Sequence, residues 1–157
     1  MDKLVPLISS NVAGPLGVLH LPRLWQKGVL GAKKMLADGY PEISKGLCQM
    51  TLDALKLNKE ETLQYLHSEV PSYPEFEAWI LKKNGGKLER AAIEKHNAAV
   101  RARLHDAKTR KGILDGAGIK DEGLVKDIND AITLNDWDDW TEFHNLVKAV
   151  PVYVCET

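Results

Sequence analysis

The sequence predicts an all-α protein, a compact single-domain bundle of about six to seven helices with an irregular N-terminal arm and a short extended C-terminal tail. Apolar residues recur at spacings of three and four along about seven segments, which is the period of an amphipathic helix. Proline, glycine and helix-capping signals separate these segments. The turns between them are short, as in helix bundles, and 157 residues are enough to bury one core.

The first predicted helix follows an irregular arm over residues 4–19, which is rich in proline, glycine and serine. Pro22 suits the first turn of a helix because its ring presets the backbone and the missing N–H is not needed there. An apolar stripe then runs over residues 21–36, and Gly39 stops the pattern.

Capping signals predict the starts of the next three helices. Ser44 is a candidate cap for the second helix. Asn58 precedes Glu61 by three positions, which is the spacing of a capping box, and this pair opens the third helix. Ser72 and Glu75 repeat the same spacing at the start of the fourth helix.

The C-terminal half is predicted to hold the longest helix and three shorter segments. Residues 88–107 form the longest apolar stripe, and residues 110–114 either continue it or start a short helix. Residues 124–132 repeat the helical pattern, and a last helix is expected after Asn135. The tail over residues 151–155 reads as extended.

Charge is balanced overall but unevenly distributed along the chain. The formal net charge is −1, which gives no bulk attraction to nucleic acid or to an anionic membrane. Residues 1–110 hold 17 basic against 12 acidic side chains, a net charge of +5. Residues 111–157 hold 4 against 10, a net charge of −6. We therefore expect the acidic part to pack on a basic face of its own domain or of a second copy.

Several protein classes are disfavoured by what the sequence contains. No apolar run is long enough to span a membrane, and no convincing signal peptide begins the chain. Cys48 and Cys155 are far apart and fit no metal-binding spacing, which favours a reducing compartment and a cytoplasmic location. The aromatic residues fit helical core faces and do not alternate with basic ones, so no nucleic-acid partner is predicted.

Four stretches of the chain resemble a known family. They are residues 17–27, 57–66, 73–80 and 93–103. In that order they resemble a family of small helical bacterial domains of unknown function, whose members share a His/Leu-Pro-Arg opening followed by a lysine four positions after the arginine. The likeness covers residues 12–105 and does not include the acidic C-terminal helical part. It implies a bacterial, helical, soluble protein and brings no activity or catalytic residue with it.

The most distinctive candidate site lies at the start of the first helix. His20 precedes this helix, while Arg23 and Lys27 are one turn apart on it, with Trp25 between them. A helix N-terminus presents free N–H groups and partial positive charge, so this corner could hold a carboxylate or phosphate with Arg23 in bidentate contact. The alternative is that Arg23 and Lys27 are solvated or pair with acidic residues of the C-terminal part.

Two further histidines are candidate acid–base groups. His96 falls on the apolar stripe of the longest predicted helix, where an inward imidazole can titrate near neutral pH. Asn97 beside it could orient the ring or contact a ligand. His144 poses the same question on the last helix. The alternative for both histidines is a core residue whose ring nitrogens are satisfied by neighbours.

An acidic cluster is the only candidate for a metal site, and no metal is predicted there. It comprises Asp136, Asp138, Asp139 and Glu142, whose carboxylates share one side of a helix. Acidic residues also stabilise the first turns of a helix by opposing its dipole, and that explanation is favoured. The glycine-rich nucleotide-binding motifs are missing from the sequence, so no cofactor is predicted.

These features predict a soluble helical domain that binds a small anionic or polar organic ligand. It is either a binding protein or a cofactor-independent enzyme, with Arg23 and Lys27 as anchors and a histidine, His20, His96 or His144, for acid–base chemistry. The alternative is a non-catalytic interaction or self-assembly module, in which the charge asymmetry and the tryptophans join two copies as a homodimer.

Overall fold

Seven α-helices make up most of residues 2–155, the part of the chain that the computed structural model describes. A short 3₁₀ helix, Gly123–Asp127, precedes the last of them, and the described residues contain isolated bridges but no β-strand. The all-α prediction is therefore confirmed. The helices are α1 (Leu21–Ala32), α2 (Leu47–Ala54), α3 (Lys59–Glu69), α4 (Tyr73–Lys83), α5 (Arg90–Ala102), α6 (Ala107–Ala117) and α7 (Ala131–Lys148).

Helix α1 starts where the sequence predicts, but it ends before residue 36, the end of the predicted apolar stripe. Pro22 lies in its first turn, and Leu21 and Leu24 are fully buried beneath it. The helix stops at Ala32 because Lys34 adopts a left-handed backbone with a φ of 57°. The chain then runs extended, so that Leu36 pairs with the N-terminal arm in a parallel bridge.

The predicted caps of α3 and α4 are present. The Asn58 side chain accepts a hydrogen bond of 2.9 Å from the Glu61 amide. Ser72 and Glu75 form a complete capping box, in which each side chain bonds the other's backbone N–H. Helix α2 begins later than Ser44 predicts, because Gly46 occupies its N-cap position without a side-chain bond.

The longest predicted helix is broken into two helices. The chain leaves the helical path after Ala102, and Leu104 pairs with Asp130 in an antiparallel bridge. Asp106 then caps α6 by accepting a bond from the Thr109 amide. Asp130 caps α7 in the same way, so α7 begins four residues before the predicted cap at Asn135 and becomes the longest helix.

The main core lies between α1, α2, α3 and α4. It consists largely of leucines with one aromatic ring, and its innermost side chains are Leu21, Leu24, Leu52, Leu66, Phe76 and Ile80. Helices α6 and α7 pack on each other, and α5 joins them to the rest of the bundle. No helix within residues 2–155 is both long enough and apolar enough to cross a membrane.

The end of α7 extends away from the body of the protein. Every residue from Glu142 to Cys155 is exposed, although α7 continues to Lys148. Residues 151–155, which the sequence predicts to be extended, have no regular secondary structure. The last two turns of α7 are therefore stabilised by their own backbone hydrogen bonds and hardly at all by packing.

Candidate functional site

A cleft of about 520 Å³ lies between α1, the segment of residues 38–47 and α7. Its floor and walls combine charged, aromatic and small residues from four parts of the sequence. The polar residues of its lining include His20, Arg23, Lys27, Tyr40, Arg103, His105, Asp138, Asp139 and Glu142. A cleft with converging polar groups is the usual form of a small-molecule site.

Three of the predicted site residues line this cleft together. Arg23 and Lys27 are one turn apart on α1, and His20 is the N-cap residue directly before this helix. Their side chains are buried, with 2%, 6% and 4% of their surface exposed. Three polar side chains this deeply buried must find partners within the fold, or they would destabilise it.

Arg23 is held in an almost fully buried ion pair with Asp139 of α7. Its guanidinium binds the two carboxylate oxygens over 2.6 and 3.0 Å. The same group donates to the backbone carbonyls of Pro6 and Ile8, over 2.8 and 2.9 Å. Arg23 thus pairs with an acidic residue of the C-terminal part, which is the alternative to an anion-binding role, and it also fixes the N-terminal arm.

Tyr40 and Asp138 extend this network into the cleft. The Tyr40 hydroxyl donates to Asp139 over 3.0 Å, and burial together with the Asp139 carboxylate raises the pKa of Tyr40. Partial burial, the Asp139 charge and the Glu142 charge raise the pKa of Asp138. Asp138, on the acidic side of the cleft, is therefore easier to protonate than an ordinary surface carboxylate.

A second network joins four buried side chains in a row. Ser10 Oγ lies 2.9 Å from His20 Nδ1, and His20 Nε2 lies 3.2 Å from Cys48 Sγ. Lys27 Nζ donates to the same sulfur over 3.4 Å. The row of Ser10, His20, Cys48 and Lys27 thus ends at a lysine that lines the cleft. We call it the Ser10–Lys27 relay.

His20 is held in this relay as a neutral imidazole. Burial, with smaller contributions from the charges of Lys27 and Arg23, lowers the pKa of His20 to about 3. Its backbone is left-handed, with a φ of 70°, which is uncommon outside glycine and costs roughly 1–3 kcal/mol. The fold therefore maintains a strained backbone to hold this ring between a hydroxyl and a thiol.

Lys27 is a buried cation without a carboxylate partner. It forms no salt bridge with any residue in the range 2–155, and Cys48 is its one hydrogen-bond acceptor there. Burial lowers the pKa of Lys27, and the Cys48 sulfur opposes this effect. An ammonium group has three N–H donors, so Lys27 keeps unused hydrogen-bonding capacity at the wall of the cleft.

The structure places the other predicted ligand-binding and acid–base residues outside this cleft. Trp25 donates its indole N–H to Pro71 over 2.8 Å and packs against the main core. His96 is buried and contacts the Leu19 carbonyl at 3.1 Å, while burial lowers its pKa. Asn97 donates to the Gly17 carbonyl over 2.8 Å. His144 is exposed on the last turns of α7.

The carboxylates of the acidic cluster on α7 have different surroundings and partners. Asp139 pairs with Arg23, while Asp136 accepts a bond of 3.0 Å from Ser9. Partial burial raises the pKa of Asp136. Asp138 and Glu142 line the cleft. Within the described part of the chain, no group of three or more acidic, histidine or cysteine side chains is arranged to hold a metal ion.

Sequence reasoning missed the partners that complete the site. Cys48 belongs to no metal-binding spacing and packs in the main core, Ser10 has no base near it in the sequence, and Tyr40 and His105 belong to no motif. His105 lies beside the cleft and contacts Asn135 at 2.7 Å. The separations along the chain, 10 residues for Ser10–His20 and 28 for His20–Cys48, hide these contacts from any local pattern.

Comparisons with known proteins leave the site to be interpreted on its own chemistry. No family model, no curated protein and no solved structure matches the chain. The resemblance of residues 12–105 to small bacterial helical domains therefore stays a prediction.

Proposed function

We propose that the cleft binds a small polar organic molecule, with an anionic group of that molecule held by Lys27. The observation that carries this proposal is the buried Lys27 ammonium, which has no carboxylate partner and lines the cleft. A buried cation is costly unless it is paired. A carboxylate or phosphate oxygen at Lys27 would supply the missing partner and restore hydrogen bonds to the unused N–H donors.

The other charges of the cleft suit a ligand that also carries hydroxyl or amino groups. Asp139 is already neutralised by Arg23, so it contributes little attraction for a second cation. Arg103 and His105 add donors on one side, while Asp138 and Glu142 add acceptors. Such a mixed lining selects polar molecules and disfavours apolar ones.

Histidine chemistry in this cleft is restricted to His20 and His105, the two histidines that line it. Since the pKa of His20 lies near 3, its imidazole is uncharged at neutral pH and binds as a neutral hydrogen-bonding group. It is therefore a poor reservoir of protons for general acid catalysis. The cleft supports binding more strongly than it supports acid–base turnover by His20.

Titration calorimetry with glycolate, succinate and citrate tests the anion site, because these acids offer carboxylates in molecules of increasing size. At least one should bind, and Lys27→Met should weaken it about tenfold or more, as expected for losing a charged hydrogen bond. Lys33→Met removes an exposed lysine just after α1 and serves as the matched control. Equal affinity in Lys27→Met and wild-type protein, or no binding of any acid, would refute the proposal.

A second candidate function, self-assembly, is favoured by the exposed end of α7. Trp140, Phe143, Val147 and Val150 follow one another at spacings of three and four, with 57%, 46%, 51% and 65% of their surface exposed. This apolar stripe has no partner within the described chain. The opposite net charges of the two parts of the sequence would favour a second copy of the same chain as its occupant.

Light scattering over a concentration series, at low and high ionic strength, tests self-assembly. Wild-type protein should form dimers that dissociate when Phe143 and Val147 are both replaced by serine. Val152→Ser, a change to an exposed residue of the tail, is the matched control. A wild-type protein that stays monomeric at high concentration and low salt would eliminate this candidate.

A further inference from the structure

The Ser10–Lys27 relay places an amine, a thiol and an imidazole in one buried row beside the cleft. The amine belongs to Lys27, which is 4% exposed and contacts the fully buried Cys48 sulfur. The positively charged Arg23 lies one turn away on the same helix face. A lysine amine that is desolvated and close to a second cation is the arrangement that makes lysine a nucleophile toward carbonyl groups.

We propose that Lys27 is a covalent site for a small aldehyde or keto acid, which it binds as an imine. This inference rests on the proposed function, since it assumes that the cleft admits a small acid. It adds the chemical class of the ligand, a carbonyl carbon next to an anionic group. The anionic group would then face the remaining donors of the cleft, such as Arg103 and His105.

The reaction is balanced without any further reactant. The Lys27 nitrogen in its neutral form attacks the carbonyl carbon and forms a carbinolamine. The carbonyl oxygen then leaves as water with the two hydrogens of the amine, and a carbon–nitrogen double bond remains. No oxidation or reduction occurs, and hydrolysis reverses the step.

The surroundings of Lys27 favour its neutral amine on balance. Burial is the largest influence on the pKa of Lys27 and lowers it, as does the Arg23 charge, whereas the Cys48 sulfur and the Asp139 charge raise it, and the net direction is downward. The Cys48 thiol is held by His20 on its other side, over 3.2 Å. Cys48 and His20 are therefore positioning residues, and Lys27 is the residue that touches the ligand.

Reductive trapping tests the inference. Wild-type protein at neutral pH is incubated with glyoxylate and cyanoborohydride, which converts an imine into a stable carboxymethyl group. Peptide mass spectrometry then measures labelling at each of the 16 lysines. Labelling at Lys27 should exceed that at exposed lysines by about tenfold or more, because its lowered pKa leaves more neutral amine. Succinate, which lacks a carbonyl, should suppress labelling at Lys27 only.

Two variants separate this inference from anion binding. Lys27→Arg has no amine that forms an imine, so the label at this position should be lost while exposed lysines keep theirs. Lys33→Arg should leave the labelling of Lys27 unchanged. Labelling of Lys27 at or below the level of exposed lysines overturns the inference, whether or not the variant folds. If succinate still binds in that case, the anion site stands while the imine fails.

Discussion

At the scale of single residues, the Arg23–Asp139 pair connects the two ends of the chain. Both side chains are buried, with 7% and 3% exposed, and the guanidinium also satisfies two carbonyls of the N-terminal arm. Removing one member of such a pair leaves an uncompensated buried charge, which costs far more than the pair itself contributes. The pair therefore fixes α1, α7 and the N-terminal arm relative to one another at the cleft. A buried ion pair does not by itself make a fold more stable than well-packed apolar residues would.

Arg23→Met should lower the free energy of unfolding by about 3–5 kcal/mol, because Asp139 loses its partner inside the protein. Urea denaturation at neutral pH measures the change. Asp121→Asn, which breaks the more exposed Arg110–Asp121 pair, should cost much less, because water screens that pair. A loss in Arg23→Met as small as in this control would mean that water reaches Asp139.

The buried neutral His20 predicts an acid-sensitive fold. Its pKa is near 3 in the folded state and 6.5 when unperturbed, so between these values the unfolded chain binds more protons and stability falls as pH falls. Between about pH 7.5 and about pH 5 this effect amounts to about 2 kcal/mol. His96, whose pKa is also lowered, acts in the same direction.

Urea denaturation at both pH values checks this dependence. His20→Asn should remove most of the fall in the free energy of unfolding between the two pH values, whatever its effect on stability at neutral pH. Asparagine is chosen because it tolerates the left-handed backbone. The exposed His144→Asn should retain the slope of the wild type. A pH dependence that survives in His20→Asn would assign it to other groups.

At the scale of helices, a close approach between α1 and α3 fixes the orientation of the cleft wall. Gly28 lies on α1 beside Leu66, and a Cβ atom built on it would come within 2.4 Å of the Leu66 side chain. The absence of a side chain at this point lets the two helices pack tightly. Since Arg23 and Lys27 are on the same helix as Gly28, this contact also positions the polar face of α1.

Gly28→Ala should destabilise the protein by about 1–3 kcal/mol, as expected when a methyl group is forced into a packed contact. Gly112→Ala is the matched control, because Gly112 is also inside a helix and has open space around it. There the greater helix propensity of alanine should stabilise the protein by about 0.4–1 kcal/mol. Thermal unfolding of both variants measures the two changes in stability. If both substitutions stabilise the protein, or both destabilise it, the close packing at Gly28 is contradicted.

The sequence predicts helices well wherever the signal is local. Asn58 and Ser72 cap helices through residues three positions away, so both starts follow from short motifs. The break after Ala102 depends on the pairing of Leu104 with Asp130, which lies far along the chain. A periodic stripe cannot reveal such a break, and for that reason the sequence leaves open whether residues 110–114 continue the long helix or start a separate one.

The same distinction applies to the site. Arg23 and Lys27 share a face of α1 by their spacing and His20 directly precedes the helix, so the sequence identifies one wall of the cleft. Cys48 and Asp139 bind His20 and Arg23 of that wall through contacts that span 28 and 116 residues. His96 lies on an apolar stripe as the sequence indicates, but it contacts the Leu19 carbonyl and does not line the cleft.

At the scale of the whole molecule, the cleft lies where α7 meets α1. Helices α1 to α4 enclose the main core, whereas α6 and α7 form a pair that meets the rest through α5 and the polar contacts of α7. Residues from α1 and from α7 face each other across the cleft. Any ligand that binds there contacts both parts and should hold them together.

This arrangement predicts partial opening of α6 and α7 before global unfolding. Asp139→Asn removes the charge that holds α7 to α1, so the amides of α6 and α7 should exchange hydrogen faster, while those of α3 and α4 keep their protection. Hydrogen exchange with mass spectrometry reads both groups in one experiment. Asp121→Asn is the control, since the Arg110–Asp121 pair does not join α7 to α1. An equal rise in exchange in α3, α4, α6 and α7 would show instead that the bundle opens as one unit, and that α6 and α7 do not open separately.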